Sequence, residues 1–228
     1  MRAMILAAGR GERMRPLTDS VPKPLLAAGG KPLIVWHIER LVLAGITEIV
    51  INHAWLGGQI EQALGDGSQY GARIAYSPEA RALETAGGIA QALAFFRGQP
   101  FLVINGDVWC DWDPAQAQAA AAAMDGRTLA WLLLVDNPAQ HPQGDFQLHA
   151  SGLVTDRTCG ADPALTFSGI GIYRPALFQD IAGQQAAALA PLLRRAMAAR
   201  QVRGSRYGGR WVDVGTPQRL ADLDRALS

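Results

Sequence analysis

Apolar positions fall into short runs and helical stripes that take turns along the first two thirds of the chain. Residues 3–8 form an unbroken apolar run that stops at Gly9, the pattern of a buried strand. Over residues 32–44, Leu33, Ile34, Ile38, Leu41 and Val42 fall on one helical stripe, and Gly45 stands where a helix-ending glycine belongs. Residues 48–52 (EIVIN) are again a strand. The alternation continues with helical spacing over 59–64, a strand over 72–76, a helix over 88–96 and a strand over 101–104. A helix over 114–124 and a strand over 129–135 complete it. Strands that alternate with helices predict an α/β sheet covered on both faces, and such sheets bind ligands beyond the carboxyl ends of their strands. Gly9 and Asn105-Gly106-Asp107 both fall at such ends.

The last third is less regular. Residues 146–154 fit a hairpin, and 165–173 a strand interrupted by Gly169 and Gly171. Residues 190–199 fit a helix, 210–214 a short strand and 217–226 a terminal helix. The alanine-rich stretches 119–123 and 184–190 are explained by helix. No linker composition divides the chain, so one domain over residues 1–228 is expected.

Composition narrows the classes. Hydrophobic residues make up 49% of the chain and charged residues 18%, enough apolar material for a substantial core. The formal net charge is +1, without the basic excess of a nucleic-acid binder, so no nucleic-acid partner is expected. No signal-type apolar region and no run near the ~20 residues of a membrane span is present. Cys110 and Cys159 have neither metal-ligand spacing nor a disulfide framework. These features point to a cytoplasmic protein with no membrane partner. No His/Cys cluster suggests zinc, and no Gly-x-Ser-x-Gly elbow suggests a serine hydrolase.

Five segments carry candidate chemistry. The stretch from Gly9 through Gly11, Glu12, Arg13, Met14 and Arg15 to Pro22-Lys23-Pro24 puts a glycine turn and the cations Arg13, Arg15 and Lys23 after a strand. Exposed backbone N–H groups and cations are what a polyphosphate needs. Met14 breaks the dinucleotide fingerprint, and no Gly-Lys-Ser/Thr follows to make a Walker loop. Asn105-Gly106-Asp107 reads either as a plain turn or as a strand-end carboxylate fit for magnesium, which takes one or two carboxylates. Asp213 stands in the apolar run Trp211-Val212-Asp213-Val214. A buried carboxylate there needs a partner, a metal shared with Asp107 or an arginine, unless it caps the last helix. Glu79, Thr85 and the glycines after Thr85 permit a flat ring to approach. Asp145 and Ser168 could meet sugar hydroxyls, beside the turn glycines Gly144 and Gly169. Asp111-Trp112-Asp113 has the form of a glycosyltransferase metal motif but lacks its donor-loop context.

In this order the five segments resemble the sugar nucleotidyltransferase family over nearly the whole chain, from Met4 to about Leu220. The resemblance implies a single α/β domain with a mixed, mostly parallel, Rossmann-like sheet. It also implies a magnesium-dependent enzyme joining a sugar 1-phosphate to a nucleoside triphosphate. Further stretches, among them Ile51-Asn52-His53-Ala54-Trp55 and Leu83-Glu84-Thr85, are similar to family members that use UTP and a muramic-acid 1-phosphate in cell-wall recycling. Carried over by position, Gly9, Gly11, Glu12, Arg13 and Lys23 match the nucleotide loop. Glu79, Thr85 and Gly87 match the base-reading segment. Asn105, Asp145, Ser168 and Gly169 fall on the sugar side. Asp107 and Asp213 match the magnesium ligands, with Arg13, Lys23 and Asp107 the catalytic set. Glu12 stands where the wider family has Thr or Ser. For the carboxylate of a muramic sugar, Arg194, Arg195, Arg203, Arg206 and Arg210 are candidate partners.

Overall fold

The computed structural model describes residues 1–157 and 163–228; Cys159 lies outside them. The strands are β1 (Arg2–Leu6), β2 (Ala27–Ala28), β3 (Lys31–Pro32), β4 (Glu48–His53), β5 (Arg73–Pro78), β6 (Phe101–Asn105) and β7 (Val108–Cys110). They continue as β8 (Ala130–Val135), β9 (Phe146–Leu148), β10 (Val154–Asp156), β11 (Thr166–Tyr173), β12 (Val202–Tyr207) and β13 (Trp211–Asp213). The helices are α1 (Leu33–Leu43), α2 (Gly57–Leu64), α3 (Glu84–Gln91), α4 (Gln116–Ala122), α5 (Leu189–Ala198) and α6 (Pro217–Leu227).

Seven strands form the central sheet in the order β12-β8-β11-β6-β1-β4-β5. Neighbours pair in parallel except β11, which runs antiparallel to both β6 and β8. This is the expected α/β architecture with a mixed, mostly parallel sheet. Parallel neighbours need crossovers, and α1 and α2 supply them between β1, β4 and β5. The sheet is buried on both faces. One core cluster joins Ile5, Ile49 and Ile104 of the strands to Ile34 and Ile38 of α1, Ile60 of α2 and Ala117 of α4. The other joins Met4, Val50 and Val103 to Ile89 of α3 and Leu193 and Met197 of α5. Alternate residues of each strand thus feed opposite cores, which is why the central strands read as continuous apolar runs. Each fully buried Leu or Ile contributes about 1.5–3 kcal/mol.

Helix α1 ends as its sequence predicts. Gly45 takes φ 74°, its N–H bonds the carbonyl of Val42, and Ile46 N–H bonds that of Leu41, the double bond of a Schellman cap. Two expectations change. The alanine-rich stretch before α5 is not helical. Ala187 lies outside the helix, its N–H donating to Leu83 O and its carbonyl accepting from Ala86 and Gly87, and Ala188 is extended. Those tertiary bonds outweigh alanine's helix preference, so α5 starts at Leu189. The edge strand β12 was not anticipated. Its residues VRGSRY carry little apolar alternation, and its place comes from pairing with β8. Among the described residues no helix is long and apolar enough to cross a membrane.

His37 ties a helix to the future site. Its Nε2 lies 2.8 Å from the carbonyl of Val108, so that nitrogen donates. Burial pushes its pKa from 6.5 down to about 4, against the opposing pull of that hydrogen bond. Protonation therefore favours the unfolded chain. The stabilisation is complete above pH 6.5 and is lost as pH falls towards 4. His37→Gln keeps a donor without the titration. Its loss of stability between pH 7.5 and 4.5, read from urea midpoints, is expected to be smaller than the parent's by about 2–3 kcal/mol. Equal losses in the two proteins would reject this account of His37.

Candidate active site

The register of the parallel strands builds one rim. Leu6 of β1 stands beside Asn52 of β4 on one side and Asn105 of β6 on the other. A cleft of about 350 Å³ opens above this row, at the carboxyl ends of the strands. Leu6, Ala7, Asn52 and Asn105 make its floor. Gly9, Gly11, Glu12, Arg13 and Lys23 make one wall, Ala82, Glu84 and Thr85 the other, and Asp107 and Gly215 close one end.

The loop from Gly9 to Leu25 is shaped by three short 3-10 turns and strapped from outside. Arg10 donates to Thr18 O at 2.8 Å and stacks on Trp55, whose indole N–H donates to the same carbonyl at 3.0 Å. Thr18 Oγ1 donates to Gly11 O at 2.9 Å. Met14, which breaks the dinucleotide pattern, is fully buried in a cluster with Leu33, Trp109 and Val214. Arg15 stays outside the cleft, paired with Asp19 at 2.8 Å.

Two carboxylates enter from adjacent strands. Gly106 lets the turn after β6 close on β1: its N–H bonds Leu6 O at 2.8 Å, and a Cβ there would lie 2.7 Å from that oxygen. Asp107 follows, partly exposed, and accepts from the ammonium of Lys23 at 2.7 Å. Strand β13 pairs with β7, and Val214 N–H bonds Asp107 O, which brings Asp213 to the same end. Asp213 is half-buried and its partner is Arg219 of α6 at 2.6 Å, so the arginine reading of this aspartate is realised in the structure. Gly215 is required where these groups converge. A Cβ on it would lie 2.5 Å from Arg219 Nη2, 3.0 Å from Asp213 Oδ1 and 3.2 Å from Arg13 Nη2. Among the described residues Arg13 has no ion pair, which leaves it the unpaired cation of the cleft.

Other expected residues lie behind or beside the cleft. Glu79 is buried and does not line it. One carboxylate oxygen accepts from Asn52 Nδ2 at 2.7 Å and the other from Leu83 N–H at 2.8 Å. Gly87 packs under the extended segment before α5, where a Cβ would meet Gln185 O at 2.3 Å. Asp145 accepts from Phe167 N–H at 2.8 Å and pairs with His141. Ser168 is fully buried, its Oγ accepting from Ile170 N–H. Gly169, at φ 79°, lies in the bulged stretch of β11 against the side chain of Asn105. Asp111-Trp112-Asp113 faces away: Asp111 accepts from Tyr207 Oη, Trp112 is buried, and Asp113 caps Ala115 N–H. None of the arginines from 194 to 210 lines the cleft. Arg194, Arg195 and Arg206 pair with Asp156, Asp180 and Asp136, while Arg203 and Arg210 donate to the carbonyls of Ser151 and Ala226.

Sequence reasoning gave no role to Asn52, Glu84 or Arg219. Asn52 had a signal, as the polar residue closing an apolar strand. Glu84 takes φ 58°, a strained conformation for a residue with a side chain, at the mouth of the cleft.

A floor of strand ends, a strapped glycine loop with cations and a pair of strand-end aspartates define a nucleotidyltransferase cleft. The chain belongs to the nucleotidyl transferase family, whose model matches residues 2–228. It is 58% identical over 223 residues to the N-acetylmuramate alpha-1-phosphate uridylyltransferase of Neisseria meningitidis serogroup B, covering 97% of this chain and 96% of that protein. It is 37% identical to the protein of that name from Caulobacter vibrioides, covering 95% and 92%. Its fold matches a Bacillus anthracis structure solved with sucrose, provisionally named a glucose-1-phosphate thymidylyltransferase, with TM-score 0.87 at 20% identity over 100% of this chain and 95% of that one. A second match is HddC from Yersinia pseudotuberculosis complexed with GMP-PN, TM-score 0.79 at 18% identity, over 100% and 99% of the two chains.

The two loop glycines separate sterically. At Gly11, φ is 72° and a Cβ would lie 3.0 Å from Thr18 Cγ2 and 3.3 Å from Lys23 Cβ, whereas a Cβ at Gly9 meets nothing within 4 Å. Gly11→Ala is expected to destabilise by about 1–3 kcal/mol. Gly9→Ala should stay within about 0.5 kcal/mol of the parent. Chemical denaturation checks both, and an unperturbed Gly11→Ala midpoint would contradict the strained-turn reading.

Proposed function

We propose that this enzyme transfers a uridylyl group from UTP to N-acetylmuramate α-1-phosphate, releasing pyrophosphate and a UDP-sugar. The observation that carries the reaction type is the juxtaposition, in one cleft, of the unpaired Arg13, the buried Lys23 and the carboxylate of Asp107. The substrate follows from the names of the two relatives that match nearly end to end. The reading makes residues 1–228 one catalytic domain of a cytoplasmic enzyme that returns a cell-wall sugar to its nucleotide form.

The step is an in-line displacement. An oxygen of the sugar phosphate forms a bond to the α-phosphorus of UTP as the bond from that phosphorus to the bridging oxygen of pyrophosphate breaks. A phosphate is already anionic near neutral pH, so no general base and no covalent enzyme intermediate is needed. Catalysis reduces to positioning and charge stabilisation. In this reading the backbone of Gly9 and Gly11 cradles phosphate, Arg13 and Lys23 stabilise the charge passing to pyrophosphate, and Thr85 faces the base. Asn105 contacts the sugar, with Asp145, Ser168 and Gly169 supporting that side from behind.

Asp107 and Asp213 are suited to hold Mg2+. They offer hard oxygen donors at the cleft end, each now paired with a cation, Lys23 or Arg219, that a bound metal would displace from the carboxylate. Bound there, Mg2+ would supply neutralisation of phosphate charge.

Asp107→Ala strands the buried Lys23 ammonium, whereas Asp107→Asn leaves it an oxygen acceptor and is the cleaner test. Asp107→Asn is expected to lower pyrophosphate release at least about 100-fold with magnesium and UTP; because it also removes the counter-charge of the buried Lys23, the urea midpoint should fall as well, and the rates are compared on the folded protein. A near-parental rate would sink the assigned role. Assayed against N-acetylmuramate α-1-phosphate, N-acetylglucosamine 1-phosphate and glucose 1-phosphate, the parent enzyme should release pyrophosphate selectively with the first. Release only with another sugar would overturn the substrate and keep the reaction.

A further inference from the structure

The two walls of the cleft are joined beneath its floor by a single file of buried hydrogen bonds. Ala7 N–H, where β1 gives way to the phosphate loop, donates to Asn52 Oδ1 at 3.0 Å. Asn52 Nδ2 donates to Glu79 Oε1 at 2.7 Å, and Glu79 Oε2 accepts from Leu83 N–H at 2.8 Å. Asn52, Glu79 and Leu83 are 2%, 6% and 2% exposed, so little water competes for these bonds. The partners fix the amide of Asn52, since Ala7 N–H can only donate, so the side chain turns its oxygen to Ala7 and its amide nitrogen to Glu79. Glu79 is itself anchored by its N–H to His53 O at 2.8 Å, which continues the pairing of β4 with β5.

We infer that Asn52 and Glu79 act as a clamp that sets the spacing between the phosphate loop and the 82–85 wall, making them positioning residues for the nucleotide rather than readers of its base. Three observations bear on this. Both oxygens of Glu79 are committed inside the protein. Gly88 is small because of the pair: a Cβ there would lie 2.6 Å from Glu79 Oε1 and 2.7 Å from Asn52 Nδ2. Glu84, directly after the clamped Leu83, is held at φ 58°, and strain of that kind persists only where neighbours over-determine it. The bonds from Glu79 to Leu83 N–H, and from Ala187 to Leu83 O and Ala86 N–H, fix the segment on both sides of Glu84.

The clamp permits a swap test. Glu79→Gln offers one acceptor where two are needed, and Asn52→Asp sets two carboxylates against each other. In Asn52→Asp/Glu79→Gln together, Asp at 52 accepts from Ala7 N–H and from the amide of Gln at 79, whose oxygen accepts from Leu83 N–H. The full chain of bonds returns with the middle one reversed, at unchanged net charge and nearly unchanged volume. This inference rests on the nucleotidyl-transfer reading for its kinetics, so the parent enzyme's pyrophosphate release with UTP is the control for that reading. Amide hydrogen exchange at Ala7 and Leu83 reads the clamp without any turnover.

Each single substitution is expected to raise the KM for UTP about tenfold or more, with a smaller change in kcat, and to expose the Ala7 and Leu83 amides to exchange. The double substitution should bring KM back to within about threefold and restore protection. Gly88→Ala gives a second route should a single variant not fold. Helix propensity alone would make it stabilising, yet the methyl should separate the pair and raise KM for UTP. A folded double variant no better than the worse single one, or single variants with parental KM, would overturn the clamp. If the parent releases no pyrophosphate from UTP, the functional reading fails, and exchange at the two amides decides the clamp alone.

Discussion

The bond from the Lys23 ammonium to the Asp107 carboxylate holds the site's halves in register. Lys23 is nearly buried, so its charge is tolerable only beside a partner, and that partner is on the turn after β6. One contact of 2.7 Å therefore fixes the far end of the Gly9–Leu25 loop against the carboxyl end of the central sheet. Everything that depends on the loop's path follows from it: the buried side chain of Met14, the straps from Arg10 and Trp55, and the direction in which Gly9 and Gly11 present their backbone. The opposite charge serves the sheet side equally. Asp107 stands where β7 and β13 pair, so the carboxylate that anchors the loop also stands next to Asp213 and its partner Arg219.

A cleft so built carries balanced charge at its closed end and unpaired positive charge at Arg13. That asymmetry is what a polyphosphate can exploit. Two carboxylates already neutralised by Lys23 and Arg219 do not repel it, and one guanidinium remains to be satisfied. The chain's net charge of +1 conceals this arrangement, because the relevant field is local.

The strands and helices around the rim were legible because the β1, β4 and β6 segments are buried on both sides and end abruptly in Gly9, Asn52-His53 and Asn105-Gly106-Asp107. The loop's cations and the strand-end aspartates were legible for the same reason: charged residues directly after apolar runs have few structural explanations. The inward bonds of Glu79 were not legible, because a sequence shows that a carboxylate is near a site, not which way its oxygens face. Asp213 was expected in a buried run and met an arginine six positions on, in the first turn of α6, a pairing that depends on how the helix leaves the strand. The edge strand β12 and the extended stretch before α5 left no local signal, because both are specified by backbone bonds to distant segments.

The proposed displacement draws its rate from placement, since neither proton transfer nor a covalent adduct is demanded of any side chain. Misplacement of reacting atoms by about 1 Å can cost ~100-fold in such a reaction. Two walls belonging to different βα units have no covalent reason to keep a fixed gap. The backbone beneath them can be tied only by groups that reach from one strand end to the next, and Asn52 and Glu79 occupy those two strand ends in turn, β4 and then β5. Residues whose hydrogen bonds are spent inside the protein can thus bear on the reaction as strongly as those that hold the substrate. The requirement also explains why a small residue, Gly88, and a strained one, Glu84, are kept within a few positions of each other on the same wall.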